Sequence, residues 1–349
     1  MSRGAPRLRL APGWREVLGA CDPNASPSQK LAVLIDAELD VLPLPGAGST
    51  LQRWQALATV AAHDLSLAKL FEGHTDALAI LAELNEPDVA RRGWRWGVWG
   101  AEPPGPKAVV ARLPNGRWAL RGTKFWCSGA ADVTHGLLTA WSADGRGPQL
   151  VKIEMNQAAV SIEAGRWQAV GMAGSQSVDV AFDGAVCEPV GVSGQYLARA
   201  GFWHGGAGVA ACWYGGAVGV ARALHRSLAA QTDAARGPFR AAALGKIDTT
   251  LRQCGALLRE AAALIDAHPQ SDAMDLALRV RLAADDAARS VLDESGRALG
   301  AAAYCLDPHF AQAAADLPVF IRQCHGERDF AALGQWLANG DGDAQGWAL

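Results

Sequence analysis

The sequence lacks the features that mark most specialised protein classes. Its seven cysteines, Cys21, Cys127, Cys187, Cys212, Cys254, Cys305 and Cys324, are odd in number, scattered and without a CxxC pair. That spacing argues against a disulfide framework and a zinc site, predicts no bound metal, and suits a reducing cytoplasm. Charge of one sign is missing too: 32 basic against 35 acidic side chains leave a formal charge of -3. With no basic face or acidic tail, neither nucleic acid nor a membrane surface is an expected partner, and a small neutral or anionic molecule fits better. Long apolar runs are absent. The early arginines of MSRGAPRLRLAPGWREV precede no stretch long enough for a signal peptide. Residues 205–221, GGAGVAACWYGGAVGVA, are uncharged over 17 positions but hold six glycines, so a closely packed internal helix is expected there instead of a bilayer span. No repeat or low-complexity linker divides the chain, and only the tail NGDGDAQGWAL looks loose.

What is present is a sequence of 349 residues, half of them hydrophobic, with room for two or three domains. Helical periodicity runs through QKLAVLIDAELDVL, TLQRWQALATVAAHDLSLAKLF and TDALAILAEL, with Pro43 and Pro45 breaking the first pair and Glu72 to His74 separating the last two. From Trp94 the period changes to short β-rich runs: RWGVWG, AVVARL, RWALRGTKFWC, HGLLTAWS, QLVKIEM, VSIEA and SVDVAF, with Asn115-Gly116 as a hairpin signal. After about Gly201 the chain turns Ala-rich and helical, near 206–231, 239–267, 272–299 and 309–338, punctuated by Pro238, Pro269 and Pro308. The order, helices over 1–93, a β-domain over 94–200 and a helical bundle over 201–349, makes the expected fold class α+β.

One stretch carries chemistry. The strand RWALRGTKFWC runs into Ser128, Gly129 and Ala130, with Trp126 two residues before the serine. A strand ending in a small hydroxyl-bearing corner beside a large aromatic can meet the edge and face of a flat ligand. Trp126 alone reads equally as one of 13 tryptophans in a core, and Ser128 alone as a turn residue.

Lys124-Phe125-Trp126-Cys127-Ser128, the upstream GVWGAEPPG (Gly97 to Gly105), the downstream WQAVGMAGSQS (Trp167 to Ser177) with VDVAFDGAVCEP, and the helix GVAACWYGGAVGVARAL together resemble, in order, the acyl-CoA dehydrogenase superfamily of flavoproteins. The resemblance implies a shortened N-terminal helical domain, a central β-barrel or sandwich and a C-terminal four-helix bundle, and bound FAD with Trp126 against a face of the isoalloxazine ring. The Cys127 backbone and the N–H and hydroxyl of Ser128 would lie at its N5 edge, and Ala101 and Glu102 beside the ring. It implies a diphosphate clamp at Arg236 and Phe239 shared between protomers of a homodimer or homotetramer, and an adenine-side turn at Arg297 and Gly300, where Ala301 and Ala303 replace the usual glycines.

The family's catalytic glutamate is not in its usual place. In IRQCHGERDFAALG, aligning the family's glycine on Gly326 puts His325 at the glutamate position, Glu327 near the diphosphate and Asp329 near the ribose. An imidazole titrates near neutrality and can serve as a base. His325 is therefore expected to face the reacting end of the ligand, with Glu327 as the alternative base, or else capping the helix or pairing locally. The implied activity is FAD-dependent α,β-dehydrogenation of a small acyl or carbonyl substrate. The alternatives are a flavin-dependent monooxygenase using His325 on the same fold, or a non-catalytic protein that keeps the fold.

Overall fold

The computed structural model describes residues 13–86, 93–230 and 237–339. Among these, helices α1 (Trp14–Ala20), α2 (Pro27–Asp36), α3 (Thr50–Ala61) and α4 (Leu65–Glu83) come first. Strands β1 (Trp96–Trp99), β2 (Val109–Arg112), β3 (Trp118–Cys127), β4 (His135–Ser142), β5 (Pro148–Glu154), β6 (Val160–Glu163) and β7 (Val178–Val190) follow. The rest is helical: α5 (Gln195–Ala198), α6 (Gly201–Ala229), α7 (Gly237–Ala267), α8 (Met274–Leu299), α9 (Ala301–Leu306), α10 (Pro308–Phe320) and α11 (Glu327–Ala338). Contacts group the chain into two units. One joins the residues up to Leu42 to Ser66–Phe202, the other joins Pro43–Leu65 to the residues from Trp203 onward.

In the first unit, β4 pairs with β2, β2 with β3, β3 with β7, β7 with β5 and β5 again with β4, so the sheet closes on itself as a small barrel. β1 and β2 run parallel to β4, and the other pairings are antiparallel. The Asn115-Gly116 signal marks the β2–β3 hairpin, where Gly116 takes φ 84°. Successive residues of a strand face opposite sides. On β4, Leu138 points into the barrel core with Val110, Leu120, Val151 and Val180, while Leu137 packs outside it with Ala77, Ile80 and Leu81 of α4. Both faces of β4 are therefore covered, which is why Gly136 to Ala140 are all buried and its apolar residues do not alternate.

The expected break at Glu72 to His74 lies inside α4. The chain breaks instead at Ala62 to Asp64, where the amides of His63 and Asp64 both donate to the Val60 carbonyl. The Gly73-His74 pair belongs in the helix because α4 lies close on β1. A Cβ on Gly73 would stand 3.7 Å from the Val98 nitrogen, and His74 Nδ1 accepts the Trp96 N–H at 3.1 Å. That bond places the ring proton on Nε2, which donates to Asp40 at 3.1 Å.

In the second unit, the glycines of α6 explain the uncharged stretch. A Cβ on Gly215 would lie 2.2 Å from the Ala58 carbonyl oxygen, and one on Gly219 would lie 2.9 Å from that of Ala62, so α3 and α6 touch backbone to backbone. No helix among the described residues is long and apolar enough to cross a membrane. Gly215→Ala is expected to destabilise this unit by about 1 to 3 kcal/mol, because a backbone atom cannot yield as a side-chain tip can. Gly206→Ala in the same helix meets nothing within 4 Å and should be neutral or stabilising by up to about 1 kcal/mol. Urea unfolding midpoints of the two variants check the contrast.

The run expected as one helix over 309–338 is split, with Ile321–Gly326 forming a turn between α10 and α11. Pro318 lies in the last turn of α10, and Gly326 takes φ 55°, where a side chain would be strained.

Buried thiols make the fold sensitive to alkali. Burial pushes both Cys187 and Cys254 from 9.0 to about 12. Raised values mean that unfolding releases protons above the unfolded value. Their contribution is thus intact below about pH 9 and is lost as pH rises toward 12, by up to about 1.4 kcal/mol per pH unit for each thiol. A thermal midpoint that falls between pH 9 and 10.5, and falls less in Cys254→Ala, is the expected result.

Candidate functional site

The β3 strand ends irregularly. Lys124 pairs with Val180 and Cys127 with Val178, so Phe125 and Trp126 together bulge against a single residue of β7, Asp179. A bulge re-aims a side chain and takes an amide out of the ladder. Here Trp126 adopts φ 58° and turns its indole outward, 57% exposed. Its displaced N–H points to the carboxylate of Asp179, 3.4 Å away, and the other oxygen of that buried carboxylate pairs with Arg166 at 2.9 Å. The Arg166 guanidinium also lies over the Phe125 ring, 5.0 Å from its centroid. Phe125, Trp126, Trp167 and Pro103 wall a cavity of about 150 Å³ whose polar lining is Arg166, Ser177 and Asp179.

The corner after Trp126 is held from three directions. Gly129, at φ 71°, donates its N–H to the Ser175 carbonyl at 2.8 Å. The Ser128 carbonyl accepts the Trp99 indole N–H at 3.1 Å. Trp99 reaches it by lying flat on two glycines, since a Cβ would come within 2.9 Å of its ring at Gly97 and 2.4 Å at Gly136. The third tie is a line of hydroxyls: Ser128 Oγ lies 2.8 Å from Ser177 Oγ, which lies 3.0 Å from Ser175 Oγ, which donates to the Met172 carbonyl at 2.7 Å. Met172 at φ 57° and Gln176 at φ 45° flank this turn. With Trp126, three non-glycine residues in the left-handed region gather at one place, a concentration typical of functional sites.

Of the residues picked out from sequence near this corner, Ala101 is exposed and Glu102 turns toward β3. The Lys124 ammonium donates to Glu102, to the Thr139 carbonyl at 2.9 Å and to the Thr139 hydroxyl at 2.8 Å, and that hydroxyl donates to Glu102 at 2.7 Å. Burial lowers the Lys124 pKa, and the Glu102 carboxylate opposes the shift. Cys127 is fully buried with its thiol on the Lys124 carbonyl, and burial pushes its pKa far up, so it offers a ligand its backbone and not its sulfur.

The remaining picks lie in the second unit. His325 sits in the turn before α11 with its side chain half exposed, and its Nδ1 faces Asp329 Oδ1 at 3.4 Å. The other oxygen of Asp329 accepts the His325 backbone N–H at 3.0 Å, and the Cys324 thiol points to it as well. Asp329 is buried. From α8, Arg281 donates to the Gln323 carbonyl, and Asp285 pairs with Arg322 at 3.2 Å, so this helix holds the turn. The local capping or pairing expected of Glu327 is not what the structure shows. Glu327 opens α11, is exposed, and has neither a cap hydrogen bond nor an ion pair among the described residues. Asp329 performs that task, because its side chain turns back to the amide preceding the helix. Glu327 is left to the favourable field of the helix N-terminus.

Phe239 is 79% exposed on the first turn of α7. Arg297 is exposed and paired at 3.6 Å with Asp293 of its own helix, and Gly300 takes φ 70° between α8 and α9. Arg240, not singled out from sequence, reaches the α8 end and donates to the Ala298 carbonyl at 3.3 Å. Arg236 lies outside the described residues. Sequence reasoning also missed Asp179 and Ser175 with Ser177. The serines stood inside a quoted motif, and GSQS after a Gly-Met pair was the available signal.

No family model and no curated protein matches the sequence. Solved structures do match. TdsC from Paenibacillus sp. A11-2, a dibenzothiophene monooxygenase solved with FMN and indole, superimposes with a TM-score of 0.77 at 21% identity, over 90% of this chain and 91% of that one. The methanesulfinate monooxygenase MsuC from Pseudomonas fluorescens gives 0.75 at 19% identity, over 97% and 98%. Butyryl-CoA dehydrogenase from Megasphaera elsdenii gives 0.75 at 15% identity, over 97% and 100%.

Proposed function

We propose that this chain, which has the acyl-CoA dehydrogenase-like α+β fold, is a flavin-dependent oxidoreductase, and within that class a monooxygenase. The observation that carries the finer reading is the exchange at 325–329. On the register the resemblance implies, His325 stands where the family has its carboxylate base, with the buried Asp329 3.4 Å from its ring, while Glu327, two residues on, is exposed at a helix start.

The first unit fits a flavin. A rigidly held, outward-turned indole suits the face of a planar ring, and the hydroxyl-bearing corner beside it suits a polar edge. Trp126 would stack, and Ser128 with the Cys127 backbone would meet the N5 edge. Bound in reduced form, a flavin supplies the electrons with which molecular oxygen is split between substrate and water. The chain's own part is to hold and move protons. Asp329, 3.4 Å from Nδ1, favours a positive charge on the imidazole, which would leave Nε2 to take or give a proton. Its second oxygen, on the His325 amide, locks the backbone beneath the ring.

FMN is the proposed cofactor, because the adenine-side glycines are alanines. The exposure of Phe239 favours a second reading, FAD clamped by a neighbouring protomer. Self-association as a homodimer or homotetramer is supported by Phe239 and Leu306, 79% and 80% exposed, and mass by light scattering tests it. The substrate class proposed is a small acyl, carbonyl or heteroaromatic molecule handled in the cytoplasm.

The test is a pair of assays on the purified protein. Oxygen uptake driven by photoreduced FMN, with product formed from a panel of heteroaromatics and sulfinates, supports a monooxygenase. Anaerobic bleaching of the oxidised flavin by acyl-CoA thioesters would instead establish the dehydrogenase. If neither FMN nor FAD binds, the flavin reading falls.

A further inference from the structure

We propose that Arg166 makes the aromatic cavity beside Trp126 an oxyanion subsite, so that the substrate is a small carboxylate or sulfinate carried on a single ring or a short apolar chain. The inference rests on the oxidoreductase reading above and names the substrate class for that site.

The argument begins with what each polar group of the lining can still do. Asp179 is buried and both of its oxygens are engaged, one facing the Trp126 N–H at 3.4 Å and the other accepting from Arg166 at 2.9 Å. The Ser177 hydroxyl lies between those of Ser128 and Ser175, at 2.8 and 3.0 Å. Arg166 differs from both. Its side chain is 70% exposed, and among the described residues it uses one N–H on Asp179 and one face on the Phe125 ring, 5.0 Å from the centroid. The rest of its donor fork is open to a ligand, and a guanidinium keeps its charge at any working pH. Because it is held at an edge and on a face, it is oriented before a ligand arrives, which lowers the ordering cost of binding. A carboxylate or sulfinate can then accept a parallel pair of N–H bonds from it. A cation would first have to displace Arg166 from Asp179.

The walls define the rest of the ligand. Phe125, Trp126, Trp167, Pro103 and Pro104 offer apolar surface, and Trp167 already donates its indole N–H to the Gly171 carbonyl at 3.3 Å. The cavity of about 150 Å³ is smaller than the ~300 to 1,000 Å³ of sites that enclose drug-sized ligands. A body of one ring or a few carbons suits that space.

The experiment measures binding to the purified protein, supplied with FMN, by isothermal titration calorimetry on matched pairs: benzoate against benzamide, and benzenesulfinate against methyl phenyl sulfoxide. Each anion should bind at least about 10-fold more tightly than its neutral partner, the difference that a charged hydrogen bond makes. Arg166→Gln should bring each ratio to within about threefold of unity by weakening the anions alone. Arg166→Lys, which keeps the charge but not the fork, should fall between. Thermal midpoints check folding, and if the glutamine variant does not fold the lysine variant decides alone. The phosphate of FMN is a second source of the same oxyanion chemistry, so FMN and riboflavin are titrated as well. Arg166→Gln that loses affinity for FMN and not for riboflavin would assign Arg166 to the cofactor and overturn the substrate proposal. Equal affinities within the pairs, or a ratio that both variants leave unchanged, also overturns it. Anion selectivity governed by Arg166 in a protein that binds no flavin supports the subsite and removes the oxidoreductase reading.

Discussion

Turnover in His325→Ala is expected to fall by about 100- to 10,000-fold, the range lost when a positioned acid or base is removed. The argument starts from the turn Ile321–Gly326. Gly326 at φ 55° lets the chain leave the helical path just before α11, so His325 stands outside the helix, while Asp329, one turn in, reaches back to it. The buried carboxylate accepts from the backbone amide and lies 3.4 Å from Nδ1 of the same residue, which leaves Nε2 for the proposed chemistry. Asp329→Asn keeps the shape but sets an amide NH2 against one of two donors, so turnover should drop there as well. Glu327→Gln, on an exposed side chain without a partner among the described residues, should stay within about twofold of the unsubstituted protein. Added imidazole should restore part of the activity in His325→Ala. A dead Glu327→Gln beside an active His325→Ala would reverse the assignment, and the same three proteins assayed for flavin content separate lost chemistry from lost cofactor.

The second large effect is expected at Trp126. Trp126→Ala should weaken flavin retention by about 1 to 3 kcal/mol through the loss of stacked area and contact, enough to empty a site of modest affinity during purification. The residue is more than a platform, since its φ of 58° is costly for any side chain. Trp126→Gly removes the same ring and relieves the backbone, so it should retain flavin as poorly as the alanine variant while unfolding at a higher temperature than it. Spectra and thermal midpoints of the pair divide the two roles. Unchanged flavin content in both would rule out the stacking placement.

The strands were legible because their pattern is local. Short β-rich runs bounded by turn signals predict β3, β4 and the Asn115-Gly116 hairpin within a residue or two of where they lie. The closure of the sheet was not legible, because the pairing of β5 with both β4 and β7 is a long-range fact that no window contains. The α4 break was misplaced for a related reason. Gly73 looks like a helix breaker, and what carries the helix through it is long-range: His74 accepts the Trp96 N–H of β1 and meets Asp40. At the site, the aromatic and the serine were visible as residue types. The bulge that turns Trp126 outward depends on Asp179, 53 residues away, and the line of hydroxyls depends on Ser175 and Ser177 folding back on Ser128. Glu327, expected as an alternative base or else to cap the helix or pair locally, leaves the capping to Asp329, since both lie in the first turn and only the burial of one tells them apart.

Helix α3 belongs with helices made much later. Its first amides have no cap from Ser49 and are received by Asp266 of α7, which accepts from the Thr50 hydroxyl at 2.6 Å and the Thr50 amide at 3.0 Å, 216 residues along the chain. Its inner face meets α6 at Gly215. At about 5 to 20 residues per second of synthesis, α3 waits on the order of 10 to 40 s after leaving the ribosome before both partners exist. Through that interval Trp54, Leu57 and Val60, all buried in the finished protein, are uncovered. A nascent chain stalled before residue 215 should therefore be a ready client for holdase chaperones. A recombinant fragment beginning at residue 203 should be poorly soluble unless 43–65 is supplied as a separate peptide or re-joined by circular permutation.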